Sequence, residues 1–220
     1  MSDLSLSLAT QSAETDAILA SVLEEQAQKG PDLHQTHPKS HGLVWGEFIV
    51  EDNIPESWLV GVFAKKRSYP IWVRLSNASA PEKRGKFKSD LEPDIHGLAI
   101  KLLEVEGEKV LDDEKYTQDF IFLSHPVFIT RTLQQFAFIK LATVKIPAQK
   151  FDFEERNRLN EGLSFSPWHT LPEHEPLGVI NLARKKIYLE AVKLRHQYTE
   201  QRLREPQPNS QILDEPDTNS

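Results

Sequence analysis

Four short segments of the chain are rich in β-branched, aromatic and other apolar residues, and turn-forming residues separate them. They cover residues 43–50, 71–76, 97–105 and 119–123. Each is about as long as a β-strand and short for a helix. Because these strand-like segments are grouped together and do not alternate with helical patterns, the sequence predicts an α+β fold with an antiparallel sheet.

Helical patterns flank this group of strands. They cover residues 12–29, 127–141 and about 178–203. The last pattern has a stripe of apolar residues at helical spacing and therefore predicts a long helix near the C-terminus. Between the second and third helices, residues 142–146 form a short β-like piece that ends at a proline, and residues 164–176 form a proline-rich loop.

The charge of the chain is unevenly distributed. Its 26 basic and 33 acidic residues give a net charge of -7, and the acidic excess lies in residues 1–30 and 205–220. These two segments are therefore predicted to be a solvated N-terminal helical arm and a disordered tail. An acidic chain without a dominant basic face also argues against nucleic-acid binding.

The sequence favours a cytoplasmic protein. No apolar run approaches the roughly 20 residues that a membrane-spanning helix needs, and the first 30 residues lack the basic and apolar regions of a secretory signal. The chain has no cysteine, so disulfides, thiolate metal ligands and cysteine nucleophiles are excluded.

Histidines are the first candidates for chemistry. His34, His37 and His41 are close in sequence, but Pro38 interrupts any helix that would bring two of them together, so loop histidines are favoured over a metal site. His169 and His174, with Glu173 beside the latter, lie in the proline-rich loop and are expected to make structural hydrogen bonds. Phosphate-binding loops, dinucleotide fingerprints and nucleophile elbows do not occur in the sequence.

Six short motifs, taken in their order along the chain, resemble those of one protein family. They are Thr-His-Pro-Lys-Ser-His-Gly at 36–42 before Trp-Gly-Glu-Phe, Val-Arg-Leu-Ser-Asn at 73–77, Gly-Leu-Ala-Ile-Lys at 97–101, Ser-His-Pro-Val-Phe at 124–128, Leu-Ser-Phe-Ser-Pro-Trp-His at 163–169, and Arg-Lys-Lys-Ile-Tyr at 184–188. This order resembles the haem catalase family. It is closer to the small catalase-related proteins, a group that includes catalase-like allene oxide synthases. The resemblance covers about residues 12–205.

The resemblance implies a distal side for a haem b cofactor. His37 matches the distal histidine, whose imidazole can take a proton from a bound peroxide and return it to the leaving oxygen. Thr36 is expected to orient that side chain, and Arg74 to pair with a haem propionate through its fixed fork of donors. Phe128 is expected to pack against the macrocycle, although a core aromatic is an equally good interpretation.

The resemblance also implies a proximal side. Tyr188 matches the axial tyrosine ligand of the haem iron, and Arg184 stands one helical turn before it, where a guanidinium lowers the pKa of a phenol. Without the resemblance, Arg184 and Tyr188 would be interpreted as part of a solvated helix face.

Three departures from the family change these expectations. His96 occupies a place where arginine is common in the family. Ser124 stands where the family has a catalytic asparagine, so a shorter hydroxyl takes the distal position. The chain also passes directly from residues 136–139 to 143–147, where relatives have a long segment that supplies the second half of the barrel. The sequence therefore predicts an incomplete catalase-like antiparallel β-barrel with flanking helices and a long C-terminal helix. The half-barrel and the distal segment would occupy residues 31–141, and the proximal segment residues 142–204.

The function that the resemblance implies is catalase-like haem chemistry on hydrogen peroxide or on organic or fatty-acid hydroperoxides. The alternative is a non-catalytic, degenerate relative that binds haem weakly or not at all. An incomplete barrel leaves backbone groups unpaired at an open edge, so a homo-oligomer is expected.

Overall fold

A computed structural model of the chain describes residues 39–77, 87–124 and 139–199, together with the single residues 17, 21, 37 and 206. The strands are β1 (Lys39–Val50), β2 (Ser68–Asn77), β3 (His96–Leu102), β4 (Gln118–Leu123) and β5 (Ala142–Lys145). Two α-helices follow, α1 (Glu154–Gly162) and α2 (Val179–Thr199). Three short 3₁₀ turns lie at Glu56–Trp58, Gly61–Phe63 and Pro172–His174.

The five strands form one curled antiparallel sheet, which has the shape of half a barrel. Their order across the sheet is β4-β3-β2-β1-β5. Consecutive strands pair from β1 to β4, and β5 returns to pair with the other side of β1, where Phe48 lies opposite Val144. The α+β class, the antiparallel sheet and the long C-terminal helix are therefore confirmed, whereas a catalase-like barrel stays a prediction.

Most element positions agree with the sequence patterns. The four strand-like segments are β1 to β4, and the short β-like piece is β5. Helix α1 was not predicted, because its nine residues contain a single large apolar side chain, Leu159. The predicted helices 12–29 and 127–141 lie outside the described residues, apart from Ala17, Ser21, Ile139, Lys140 and Leu141.

Helix α1 depends on a buried arginine. The Arg156 side chain is fully buried, and its guanidinium lies 4.9 Å from the ring centre of Trp72 and 5.2 Å from that of Phe153. Its Nη1 donates hydrogen bonds to the backbone oxygen of Leu43 and to Gln149. Tertiary contacts thus stabilise a helix whose own sequence carries little amphipathic signal.

Each face of the sheet packs against a different part of the chain. One face carries most of the buried apolar residues of the strands and packs against the turn at Gly61–Phe63 and against Leu171. The opposite face, which we call the outer face, carries Leu43 and Trp72 and packs against Leu159 and Leu163. The outer face also faces α2, so the candidate site described below lies there.

His174 connects the C-terminal loop to the turn at Gly61–Phe63. The amide of Val62 donates a 3.0 Å hydrogen bond to Nε2 of His174, and the imidazole ring packs edge-on against Phe63 and Phe120. Gly61 has a φ of 53°, and a Cβ atom there would lie 2.2 Å from Nε2 of His174. Burial lowers the pKa of His174, which the Glu173 carboxylate partly offsets. The neutral ring is therefore the form that accepts this hydrogen bond.

The helices of the described ranges include none that combines the length and the apolar character needed to cross a bilayer.

Candidate functional site

A small cavity lies between the outer face of the sheet and helix α2. Its volume is about 50 Å³. Three of the residues that the sequence singles out, His37, Arg74 and Tyr188, line it together. The rest of its wall is small or apolar and comes from β2, β3, β4, α2 and the segment before Ser166: Ser76, Gly97, Leu98, Ala99, Ile121, Leu163, Phe165, Ala191 and Val192.

Strand β2 holds His37 at two points. The Nη2 of Arg74 donates a 2.9 Å hydrogen bond to the backbone oxygen of His37. Two residues further along the strand, Oγ of Ser76 lies 3.3 Å from Nδ1 of the imidazole. Residues at i and i+2 of a strand point to the same face, so this arrangement follows from the strand geometry of the Arg-x-Ser motif.

Because Gly97 has no side chain, the imidazole of His37 can lie directly against it. It lies opposite Ser76 in the β2–β3 pair. A Cβ atom on Gly97 would lie 2.6 Å from Nδ1 of His37 and 2.7 Å from Oγ of Ser76, which is closer than such atoms approach. The glycine of the Gly-Leu-Ala-Ile-Lys motif is therefore needed for His37 to lie against the sheet.

The environment of His37 favours the neutral imidazole. Burial lowers its pKa below the ordinary value, and the positive charges of Arg74 and Arg184 lower it further. A neutral imidazole at physiological pH can accept a proton, as a general base requires.

Helix α2 contributes Tyr188 and Arg184 to this region. Tyr188 lines the cavity, and Arg184 lies near enough to His37 to influence its pKa. The Nη1 of Arg184 also lies 3.3 Å from Oδ1 of Asn181. The start of α2 is attached to the preceding loop, because Nε1 of Trp168 donates a 2.7 Å hydrogen bond to the backbone oxygen of Asn181.

The remaining predicted site residues are elsewhere. The Oγ of Ser124 accepts a 2.8 Å hydrogen bond from the amide of His96, so it ties the end of β4 to the start of β3, and it is not among the described residues that line the cavity. Thr36, Phe128 and His34 lie outside the described residues. His41 contacts Asn77, with 2.6 Å between Nε2 and Oδ1.

A second cluster of polar residues lies further along the same outer face. The ammonium group of Lys101, which is fully buried, lies 2.8 Å from Oδ1 and 3.0 Å from Oδ2 of Asp119, and it contacts Glu114. Lys101 and Asp119 are directly opposite each other in the β3–β4 pair. Burial lowers the pKa of Lys101, but the charges of Asp119 and Glu114 outweigh this effect and raise it.

His169 completes this cluster. Its Nδ1 lies 2.8 Å from Oδ2 of Asp119, and its Nε2 lies 3.0 Å from Oδ2 of Asp113. Burial and the charge of Lys101 lower the pKa of His169, but the hydrogen bonds with Asp113 and Asp119 outweigh both and raise it to about 9. His169 was expected to make structural hydrogen bonds, and it makes two. The sequence did not predict the buried charges around His169, because these residues are far apart in the chain and show no periodic spacing.

The side chains around the cavity suit a haem group in their chemistry. A phenol, an imidazole and a guanidinium are the groups that haem proteins use for the axial ligand, for proton transfer and for propionate pairing. Gly97 and Ala99 line the cavity with little side-chain volume. The cavity volume of about 50 Å³ is much smaller than the roughly 300–1,000 Å³ of small-molecule sites. A macrocycle therefore fits only if α2 lies farther from the sheet.

Comparison with protein-family models, with curated proteins and with solved structures finds no match for this chain.

Proposed function

We propose that the chain is a catalase-like haem protein that acts on hydrogen peroxide or on an organic or fatty-acid hydroperoxide, with haem b as its cofactor. The observation that supports this proposal best is the common location of three side chains. The sequence motifs assign His37, Arg74 and Tyr188 to one haem site, and the three residues, from separate parts of the chain, line one cavity. In this proposal, haem supplies the redox chemistry of peroxide cleavage.

The protein side chains would then divide the remaining work. Tyr188, on α2, would hold the iron through its phenol oxygen. His37 would accept a proton from the peroxide and return it to the leaving oxygen, because its neutral form is favoured and Ser76 holds its Nδ1. Nε2 is then the nitrogen that exchanges the proton. Arg74 would contribute positive charge near a propionate, while one of its nitrogens positions the backbone of His37.

A second candidate function follows from the size of the cavity. The same chain would be a non-catalytic relative of haem proteins if α2 stays as close to the sheet as it is here, because about 50 Å³ admits only small molecules. Ser124 also favours this candidate, since its hydroxyl is bonded to the amide of His96 and stands where the haem catalases have a catalytic asparagine.

We further propose a cytoplasmic protein that forms a homo-oligomer and does not bind nucleic acid. Strands β4 and β5 are the outer strands of the described sheet. The amide of Asp119 at the start of β4 is bonded to the backbone oxygen of His169, so a further strand would pair with β5 or with the end of β4. A second copy of the chain could supply that strand.

Haem binding is the decisive experiment. Purified protein is titrated with hemin and followed by its Soret absorbance, with Tyr188→Phe as the matched control, because it lacks the oxygen proposed to hold the iron. The proposal expects one haem per chain and peroxide-dependent spectral changes. A titration without a saturable site would contradict it and favour the non-catalytic candidate.

A further inference from the structure

The buried cluster on the outer face has the ligands of a metal site. One carboxylate oxygen each of Glu114 and Asp119 and one ring nitrogen of His169 lie within 4.8 Å of one another, and all three residues are buried. Two carboxylates and an imidazole form a ligand set that zinc and other divalent transition metals accept. We call these three residues the cage.

The space inside the cage is occupied by Lys101. Its Nζ lies 2.8 and 3.0 Å from the two carboxylate oxygens of Asp119 and 3.4 Å from Nδ1 of His169, and it also contacts Glu114. A divalent metal would need its ligands at about 2.0–2.2 Å. The ammonium group and a metal ion would therefore compete for one position, and both cannot be present.

The charges around the cage need a cation at this position. Both ring nitrogens of His169 are within hydrogen-bond distance of carboxylate oxygens, which only accept, an arrangement that favours the charged imidazolium. The cluster then contains three carboxylates, those of Asp113, Glu114 and Asp119, and two cations, Lys101 and His169. Loss of the Lys101 charge would leave buried carboxylates without enough compensation, which is strongly destabilising.

The cluster also holds a segment that forms part of the cavity wall. The amide of Ser166 donates a 2.8 Å hydrogen bond to Asp119, and the amide of Asp119 donates one to the backbone oxygen of His169. Phe165, which lines the cavity, lies with its ring centre 5.7 Å from Nζ of Lys101. The ion cluster thus connects β4 to the segment that precedes α2.

We propose that the Glu114–Asp119–His169 cage is a cation site that the chain fills with its own Lys101 ammonium group. When this group is removed by substitution, a divalent metal ion can take its position. The wild-type protein then takes no metal at the cage. A protein without the ammonium group binds one divalent ion there, and the ion restores the contact between β4 and the segment around His169.

The test compares the wild type with Lys101→Met, which keeps about the length of the lysine's carbon chain and removes the ammonium group from the cage. Lys145→Met is the matched control, because Lys145 is an exposed lysine on a strand. Without metal, Lys101→Met is expected to melt about 10 °C below the wild type, as for a broken buried ion pair. Zinc ions should raise its melting temperature by several degrees and leave that of the wild type and of Lys145→Met unchanged.

Calorimetry measures the stoichiometry and the affinity. Lys101→Met should bind one zinc ion, and Lys101→Met/Glu114→Gln should bind it at least about 10-fold more weakly. Zinc binding by the wild type that Glu114→Gln abolishes would overturn the proposal, because the ammonium group would not fill the cage. A folded Lys101→Met without a zinc site, or an unfolded one that zinc does not rescue, would overturn it too.

Discussion

The guanidinium of Arg74 donates a hydrogen bond to the backbone oxygen of His37, with 2.9 Å between nitrogen and oxygen. The backbone of the histidine is therefore held by the same strand whose Ser76 contacts its ring. His37 is thus held both through its backbone oxygen and through its imidazole ring.

Replacement of His37 by alanine should leave haem binding in place and lower the rate of peroxide conversion by about 100-fold or more, the usual effect of removing a general acid–base. Peroxide consumption at equal haem content is the measurement. His96→Ala is the control, because His96 is an exposed histidine at the start of β3. Equal rates for His37→Ala and the wild type would show that His37 is only a structural residue.

Replacement of Tyr188 by phenylalanine should greatly weaken haem retention, since a phenyl ring offers the iron no lone pair. The tyrosinate charge-transfer absorption should disappear from the visible spectrum. Tyr116→Phe serves as the control, because Tyr116 is half exposed. A spectrum of Tyr188→Phe that matches the wild type would exclude α2 as the proximal helix.

Replacement of Gly97 by alanine should displace the imidazole of His37 and destabilise the fold by about 1–3 kcal/mol, as for an overpacked core position. The reason is that the new methyl group would lie 2.6 Å from Nδ1 of His37 and 2.7 Å from Oγ of Ser76. Chemical denaturation measures the loss. Adding Ser76→Ala removes one of the two close contacts and should recover part of the stability. A fully stable Gly97→Ala would mean that the imidazole lies elsewhere.

Protonation of His174 should weaken the fold as the pH falls. Its pKa is lower in the folded chain than the ordinary 6.5, so the unfolded chain binds more protons below about pH 6.5. The stabilisation that the neutral His174 provides is therefore complete above pH 6.5. It is lost as the pH falls through the pKa that His174 has in the folded chain. The charged ring cannot accept the hydrogen bond from the amide of Val62, and among charged neighbours Glu173 favours its protonation.

His174→Gln provides the matched variant, because an amide oxygen accepts a hydrogen bond but does not titrate in this range. Melting temperatures at pH 7.5 and pH 5.5 should differ less in His174→Gln than in the wild type. The same difference in both proteins would show that His174 does not contribute to the pH dependence.

The outer edges of the sheet predict self-association. Light scattering should report a dimer or a larger species, because β5 and the part of β4 beyond Asp119 are outer edges of the described sheet to which a further strand could add. Phe122 on β4 and Val144 on β5 are exposed apolar residues at these edges. Phe122→Lys or Val144→Lys should shift the protein toward the monomer, since lysine on an edge strand opposes strand addition. A wild-type monomer at high concentration would contradict this prediction.

Much of the fold could be predicted from the sequence because strands and long helices leave local patterns. Short apolar runs such as Ile71–Val73, together with the turn residues around each strand, indicated β1 to β4 before any contact was known. The stripe of apolar residues in the C-terminal segment indicated α2. These signals depend on neighbours a few positions away, so they are present in the sequence itself.

The candidate site could be predicted only in part. The resemblance to the haem catalases singled out His37, Arg74 and Tyr188, and it gave Ser76 and Gly97 no individual role, although their motifs were recognised. Their importance comes from the β2–β3 register, which places Gly97 opposite Ser76 and both beside His37. Ser124 was assigned to the distal position, and its actual bond to the amide of His96 depends on the β3–β4 pairing.

The sequence by itself determined the strand order along the chain, the C-terminal helix and the residue types that a haem site needs. The tertiary structure alone decided which distant residues meet. Helix α1 forms because Arg156 is buried against Trp72, and Lys101 meets Glu114, Asp119 and His169 because strand pairing and the return of the chain bring four charged residues together. Such contacts have no period in the sequence, since their energy comes from long-range burial and charge compensation.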